Sequence, residues 1–345
     1  RRQKRTPALF RASLPRISGE EEETLIALSE QLNQMRLKHG WQPGKTAPET
    51  ATPLFSPAPS AEGSANAEAR MKSARAMLSF TFQQTRELSA KTWQNGFRID
   101  FAGQEGLDDG GLTKAWVNEI AYALWGDDTL FDIEGSGSMF KSDTVESLLI
   151  DGENIDTFAL YRWTGQFVAY VLYSRCVMDC RLCPWVFRSL SRSAAPRDFH
   201  CSRSAVDVEP WPDSHAGEDR MLRDLASLDY ELANSFWRIA HEMTQDELRW
   251  LSFTCKDREV VEDGGEMEVT MDNKAEYVRR SCEIMLFGRC QSAMQAFNNG
   301  FLEVIPDRFL NNVPEEGILR LLMGKEEVSD DQLRALQSTV VPKGL

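Results

Sequence analysis

Three cysteines in the stretch Cys176–Cys183, CVMDCRLC, stand at the spacing Cys-x-x-x-Cys-x-x-Cys, with His200 and Cys201 downstream. Thiolates spaced in this way can ligate the irons of an iron–sulfur cluster, and Cys180, Cys183, His200 and Cys201 have the ligand types of a zinc site. A second constellation is Phe101–Trp116, FAGQEGLDDGGLTKAW, in which Gly103, Gly106, Gly110 and Gly111 surround Glu105, Asp108 and Asp109. A glycine-rich loop that opens a helix can cradle phosphate on its amide groups. This one has no Lys-Ser/Thr pair and places three carboxylates where the anion would sit, so a phosphate site is not expected.

The elements that must position these residues decide between the readings. Phe97, Ile99 and Phe101 alternate with polar neighbours, the period of a half-buried strand. Leu112, Trp116, Ile120 and Leu124 return at helical spacing until Gly126. Phe158–Tyr173 is apolar on most faces, which predicts a buried central helix, with Gly165 small enough to admit a close neighbour. The three cysteines follow that helix. In radical S-adenosylmethionine enzymes, whose cofactor motif the triplet Gly264-Gly265-Glu266 also mimics, they would follow a barrel strand in a strand–helix repeat that is not visible here. Buried thiols behave as small apolar groups, so Cys176, Cys180 and Cys183 are expected to fill core positions, with no metal and no cofactor.

Ser191–Arg223 is polar and proline-bearing, which predicts a disordered insertion over 191–223. The pattern resumes at Asp224: helical spacing puts Leu232, Phe236, Ile239 and Ala240 on one face, and Leu248–Thr254 alternates as a strand. A unit of about 224–269 is too small to bury much by itself. Some of Phe236, Trp237, Trp250 and Leu251 should therefore remain exposed, and an exposed aromatic patch marks a partner site. Thr270–Phe301 predicts one long amphipathic helix, started by an Asn273–Glu276 capping box and ended by Gly300, with Phe297 on its apolar face.

Elsewhere the organisation is simpler. A helix over 19–39 carries the stripe Leu25, Leu28, Leu32 and Met35, suited to docking on the main domain or a partner helix, so 1–41 reads as a tail with a helix. The Pro, Ala and Ser content of 42–67 predicts a linker without regular structure. A main domain of 68–345 follows, with a helical pattern from Glu68 to Trp93 and, at 127–156, an exposed loop region with short pieces of structure that include Leu130-Phe131. Asn312 and Pro314 cap a helix bearing Ile318, Leu319, Leu321 and Leu322, and Ser329 and Gln332 start another.

The formal charge of −14 argues against nucleic acid as a partner, because a phosphate backbone demands an excess of Lys and Arg. Seven scattered cysteines, an odd number, do not form a disulfide framework. With no apolar leader and no run approaching the ~20 residues of a membrane span, an intracellular, reducing location is expected. Arg1–Arg5 is a short basic cluster of the kind that can direct nuclear import, so cytoplasm and nucleus are both open.

Several motifs in order resemble the HECT family of ubiquitin ligases. Phe101–Trp116 is similar to its G-(E/Q)-E-G-(I/L)-D-x-G-G loop and following helix, with Ala115 where the family has Glu. Tyr161, Trp163, Gly165 and Tyr173 match its F-x-F-x-G segment; Asp179–Phe187 is similar to D-x-x-(F/L)-P-x-x-(F/Y); Asn234-Ser235 and the Thr270–Phe301 stretch match further motifs. The resemblance implies an α+β, mainly helical fold: the amino-terminal lobe of a bilobal domain, with a large helical subdomain and a small one that binds the ubiquitin-conjugating enzyme. It assigns that contact to Leu232, Phe236, Trp237, Ile239, Trp250 and Leu251; in some members the aromatic at the position of Phe297 contributes to a non-covalent ubiquitin site, the other reading of Phe297 being a core residue. In the family, ubiquitin passes as a thioester to a cysteine of the carboxyl-terminal lobe and then to a substrate lysine. No Thr-Cys-Phe of that lobe occurs here, so the carboxyl-terminal lobe is expected to be absent and no catalytic residue is expected in this chain. The alternative is a non-catalytic binder of conjugating enzyme or ubiquitin.

Overall fold

The computed structural model describes residues 19–42, 47–48, 51–59, 67–103, 110–126, 128–134, 137–192, 220–256, 258–310, 313 and 315–324. Glu105, Asp108, Asp109, His200, Cys201, Asn312 and Ser329, on which several expectations rested, lie outside them, as does 193–219 of the expected insertion. Among the described residues no helix is long and apolar enough to cross a membrane. Among the described residues the fold is mainly helical, with four two-stranded sheets, as the α+β reading required.

The described elements run from α1 (Gly19–Lys38) through β1 (Thr52–Ser56), α2 (Ala67–Thr85), α3 (Ala90–Asn95) and β2 (Phe97–Phe101) to α4 (Gly111–Trp125). Two hairpins follow, β3 (Phe131–Glu134) with β4 (Gly137–Phe140) and β5 (Ser147–Ile150) with β6 (Glu153–Asp156), and they lead into α5 (Thr157–Ser174) and α6 (Pro184–Arg188). The final part comprises α7 (Arg220–Leu228), α8 (Tyr230–His241), α9 (Gln245–Leu248), β7 (Thr254–Cys255), β8 (Arg258–Glu259), α10 (Lys274–Leu286), α11 (Gln291–Val304) and α12 (Glu315–Met323).

α5 is the axis of the body. Asp156 caps it by accepting from the Ala159 amide at 2.6 Å, and Arg175 closes it in the left-handed region at φ 58°. It crosses α11 through two glycines. A Cβ on Gly165 would lie 2.0 Å from the Phe297 carbonyl oxygen, and one on Gly300 would lie 1.8 Å from that of Arg162. Backbones that close need the side chains absent, which confirms the expectation for Gly165. Around the crossing the rings interlock edge to face, Trp93 with Tyr170 at 5.9 Å and Trp116 with Phe167 at 5.5 Å. The Trp163 and Trp116 indole N–H groups donate to Thr85 and Thr81.

Five expectations need correction. The linker contains β1, which pairs in parallel with β2 although Pro53 lies within it. The Thr52 amide donates to the Gly96 carbonyl, so the next residue's missing N–H falls on the unpaired side of an edge strand. The short structure expected within 127–156 is two hairpins, and the region is not the exposed loop otherwise expected, since Leu130, Phe131, Met139 and Phe140 lie in the core. The long helix at 270–301 breaks at 287–290 into α10 and α11. Asp143, arriving from the hairpin region, accepts from the Ser292 and Ala293 amides at 2.8 and 3.0 Å and starts the second helix afresh. Gly300 is therefore an interior packing glycine and not a terminator, since α11 runs on to Val304. Asn273 makes no cap to α10; its Oδ1 takes the Thr270 amide instead.

The α1 stripe docks on the body. Leu25, Leu28 and Leu32 are buried and Met35 half-buried. The following Trp41 packs on Tyr173 at 5.9 Å and donates its indole N–H to the Gln94 carbonyl.

Candidate functional site

The segment from α7 to the start of α10 forms an appendage on the body. Asp229 breaks the helix between α7 and α8 and caps the second, accepting from the Leu232 amide at 3.0 Å. That hydrogen bond, with Lys256 3.2 Å away, holds its carboxyl below the usual carboxylate range. Leu222, Leu225 and Leu228 of α7 and Ala233, Phe236 and Ile239 of α8 turn inward. Phe236 and Phe253 meet the edge of Tyr277 on α10, at 6.2 and 5.4 Å. A complete capping box starts α9, with Thr244 and Glu247 bonded reciprocally. It went unread, although Thr-x-x-Glu is its sequence signal.

The expected strand over 248–254 is only partly present. Leu248 closes α9, and the extended backbone begins after it. Ser252 bridges Glu268, the Phe253 amide donates to the Met267 carbonyl, and the Val269 amide donates to the Leu251 carbonyl. This antiparallel pairing sets residues 267–271 beside 249–253. Gly264 opens the turn between them, where a Cβ would lie 2.4 Å from the Phe253 carbonyl oxygen, so the Gly-Gly-Glu triplet is a packed turn.

Of the residues expected to meet a partner, Phe236 is 3% and Ile239 7% exposed; both belong to the appendage core and are corrected to that role. Leu232, Trp237 and Leu251 are half-buried, and Trp250 is 78% exposed. The Arg249 guanidinium lies over the Trp250 ring at 4.8 Å, and Trp237 leans on His241 at 5.3 Å. Tyr230, Met267 and Met271, which sequence reading missed, are exposed as well. Their signal was available only in three dimensions, because the pairing of 249–253 with 267–271 is what brings the methionines alongside. Phe297 is fully buried, packed on Phe140 at 5.5 Å and on Phe187 at 6.4 Å, so of its two readings the structure supports the core one and not the ubiquitin contact.

The described cysteines are all buried. Burial pushes the Cys180 thiol up to about 12 and raises that of Cys255, so both are held as thiols, the poorer nucleophile and ligand. Among the described residues no three His, Cys, Asp or Glu side chains converge as a metal set. The arrangement suits binding by apolar and aromatic contact on a rigid support.

Residues 123–342 match the family model described as HECT-domain (ubiquitin-transferase). The chain is 23% identical over 272 residues to the E3 ubiquitin-protein ligase HUWE1 of Mus musculus, covering 74% of this chain and 5% of that protein. It is 22% identical over 242 residues to the probable E3 ubiquitin-protein ligase TOM1 of Eremothecium gossypii, covering 68% and 6%. It is 25% identical over 256 residues to the E3 ubiquitin-protein ligase NEDD4 of Homo sapiens, covering 70% and 17%. The chain thus spans a small fraction of the length of these relatives.

Proposed function

The chain belongs to the HECT-domain (ubiquitin-transferase) family, and from that premise we propose that it serves a HECT-type ubiquitin-protein ligase as the platform that docks the ubiquitin-conjugating enzyme. The observation that carries this reading is Trp250, a large ring 78% exposed on an appendage whose other aromatics are at least half covered apart from Tyr230. Exposing such a ring costs hydrophobic free energy that only a partner recovers. Leu232, Trp237 and Leu251 flank the same helix-and-turn unit and complete the contact.

In this reading the charged conjugating enzyme is held by apolar burial while its thioester is attacked by a cysteine that is none of those described here. The thiolate is the attacking species; burial keeps Cys180 and Cys255 as thiols, and the other described cysteines are buried out of reach. The transfer then proceeds to a lysine of a protein substrate. The protein works inside the cell, in the reducing environment of the cytoplasm or nucleus.

The test is a calorimetric titration of the chain against a panel of conjugating enzymes, with and without ubiquitin attached. Trp250→Ala is expected to weaken binding by about 30-fold, the effect of removing an interfacial anchor worth about 2 kcal/mol. Binding that survives Trp250→Ala and Leu251→Ala unchanged would overturn the assignment. A reductant-sensitive ubiquitin adduct on the chain itself would overturn the second half.

A further inference from the structure

The appendage holds most of the negative charge of the chain. Residues 229–272 contain twelve Asp and Glu against four Lys and Arg, a net −8 out of the −14 carried by all 345 residues. Two of the four cations are engaged within the appendage, Arg238 with Glu242 at 3.2 Å and Lys256 with Asp229 at 3.2 Å, and the Arg249 guanidinium lies over the Trp250 ring. Asp246, Glu262, Asp263, Glu266, Glu268 and Asp272 are all exposed, and none of them has an ion-pair partner among the described residues. Three of these border the exposed ring. Ser252 stands opposite Glu268 in the antiparallel pairing, so Glu268 projects from the same side of the ribbon as Trp250, two residues before Ser252. Asp246 lies one turn before Trp250 on α9. Gln245 accepts from the Met271 amide at 3.0 Å, which brings Asp246 and Asp272 to the same end of the ribbon. Like charges left uncompensated around an apolar anchor raise a negative potential there, which the cations of a partner lower.

We propose that the conjugating enzymes this appendage accepts are those that carry Lys and Arg around the apolar residue meeting Trp250, and that the acidic rim selects them by speeding the encounter. This rests on the docking reading above and names the chemistry of the partner within it. A conjugating enzyme with carboxylates at the same place is turned away by repulsion and not by shape. Apolar burial at Trp250 holds the complex once it has formed, so the rim governs association and the ring governs dissociation.

The experiment is stopped-flow association of the chain with the conjugating enzymes of the calorimetric panel, at ionic strengths of about 0.05 M and about 0.5 M. Enzymes with a basic rim are expected to associate about tenfold or more slowly at the higher salt, with little change in dissociation. Asp246→Lys, Glu268→Lys and Asp272→Lys together should slow association by about tenfold or more at low salt and abolish the salt dependence. Exchanging Lys for Glu in the rim of the partner should restore the rate with that variant. Glu153→Lys, on β6 of the body, should change neither rate, and Trp250→Ala should act on dissociation. Binding that is lost with Trp250→Ala but indifferent to salt and to charge reversal would overturn this proposal and leave docking standing. Equal association of enzymes with acidic rims would do the same, whereas no binding by any member of the panel would overturn both readings. Urea unfolding of each variant separates loss of the rim from loss of the fold.

Discussion

In the body, Trp93, Trp116, Trp163 and Tyr170 are each at most 1% exposed, whereas in the appendage Trp237 is half-buried and Trp250 is 78% exposed. Both regions are helical and rich in aromatics, so composition does not explain the contrast. The body surrounds its rings on all sides, because α5 and α11 approach at two glycines and leave α2, α3 and α4 to close over them. The appendage is a pair of helices and a short hairpin against one face of α10, and it has enough area to cover Phe236, Ile239 and Phe253 but no more. The difference teaches where to look for function. A ring buried in the body reports on packing, while a ring left over by a layer too thin to cover it is available to a partner.

If the body depends on backbone approach, Gly300→Val should be the most damaging substitution, costing about 3 kcal/mol or more in urea unfolding, because the new Cβ falls within van der Waals distance of the Arg162 carbonyl. A tolerated valine would show that the crossing is looser than described. Within the appendage, Phe236→Ala should cost about 3 kcal/mol by leaving a cavity against Tyr277, as a core ring does. Asp229→Ala should cost about 1 kcal/mol through loss of the α8 cap. Because the Asp229 pKa is depressed, its stabilisation is full above the ordinary value of 3.8 and is lost as pH falls below it. Asp229→Asn should keep most of the cap and flatten that acid limb of the stability profile. The smallest effect is expected at Trp250→Ala, within about 0.5 kcal/mol in the same measurement, since the exposed ring has little packing to lose. A large loss there would make Trp250 a core residue and remove the contrast between the regions.

Much of this is legible in the sequence itself. The alternation of Phe97, Ile99 and Phe101 and the spacing of Trp116, Ile120 and Leu124 each appear as predicted, because a strand or helix face repeats within a few residues. Gly165 is legible for the same reason: a small residue inside a large apolar run has few uses other than close approach. Other signals were present and unread. Asp151-Gly152, both at positive φ, is a hairpin turn between β5 and β6, and Thr244–Glu247 is a capping box. The break between α10 and α11 was not legible, since the continuous apolar stripe hides a cap supplied by Asp143, about 150 residues away in the chain. The pairing of β1 with β2 was hidden similarly: a strand in a proline-rich stretch becomes visible only once its partner is known.

The order of residues alone determined the family, the mainly helical class, most elements of the body and the choice of the 224–253 stretch as the place to seek a partner site. Tertiary structure decided which side chains of that stretch remain outside, sending Phe236 and Ile239 into its core and leaving Trp250 in solvent, and it likewise sent Phe297 into the core of the body. The reason is physical. Periodicity is a property of neighbours along the chain, but exposure depends on what arrives from far away to cover a face, and no local pattern records that.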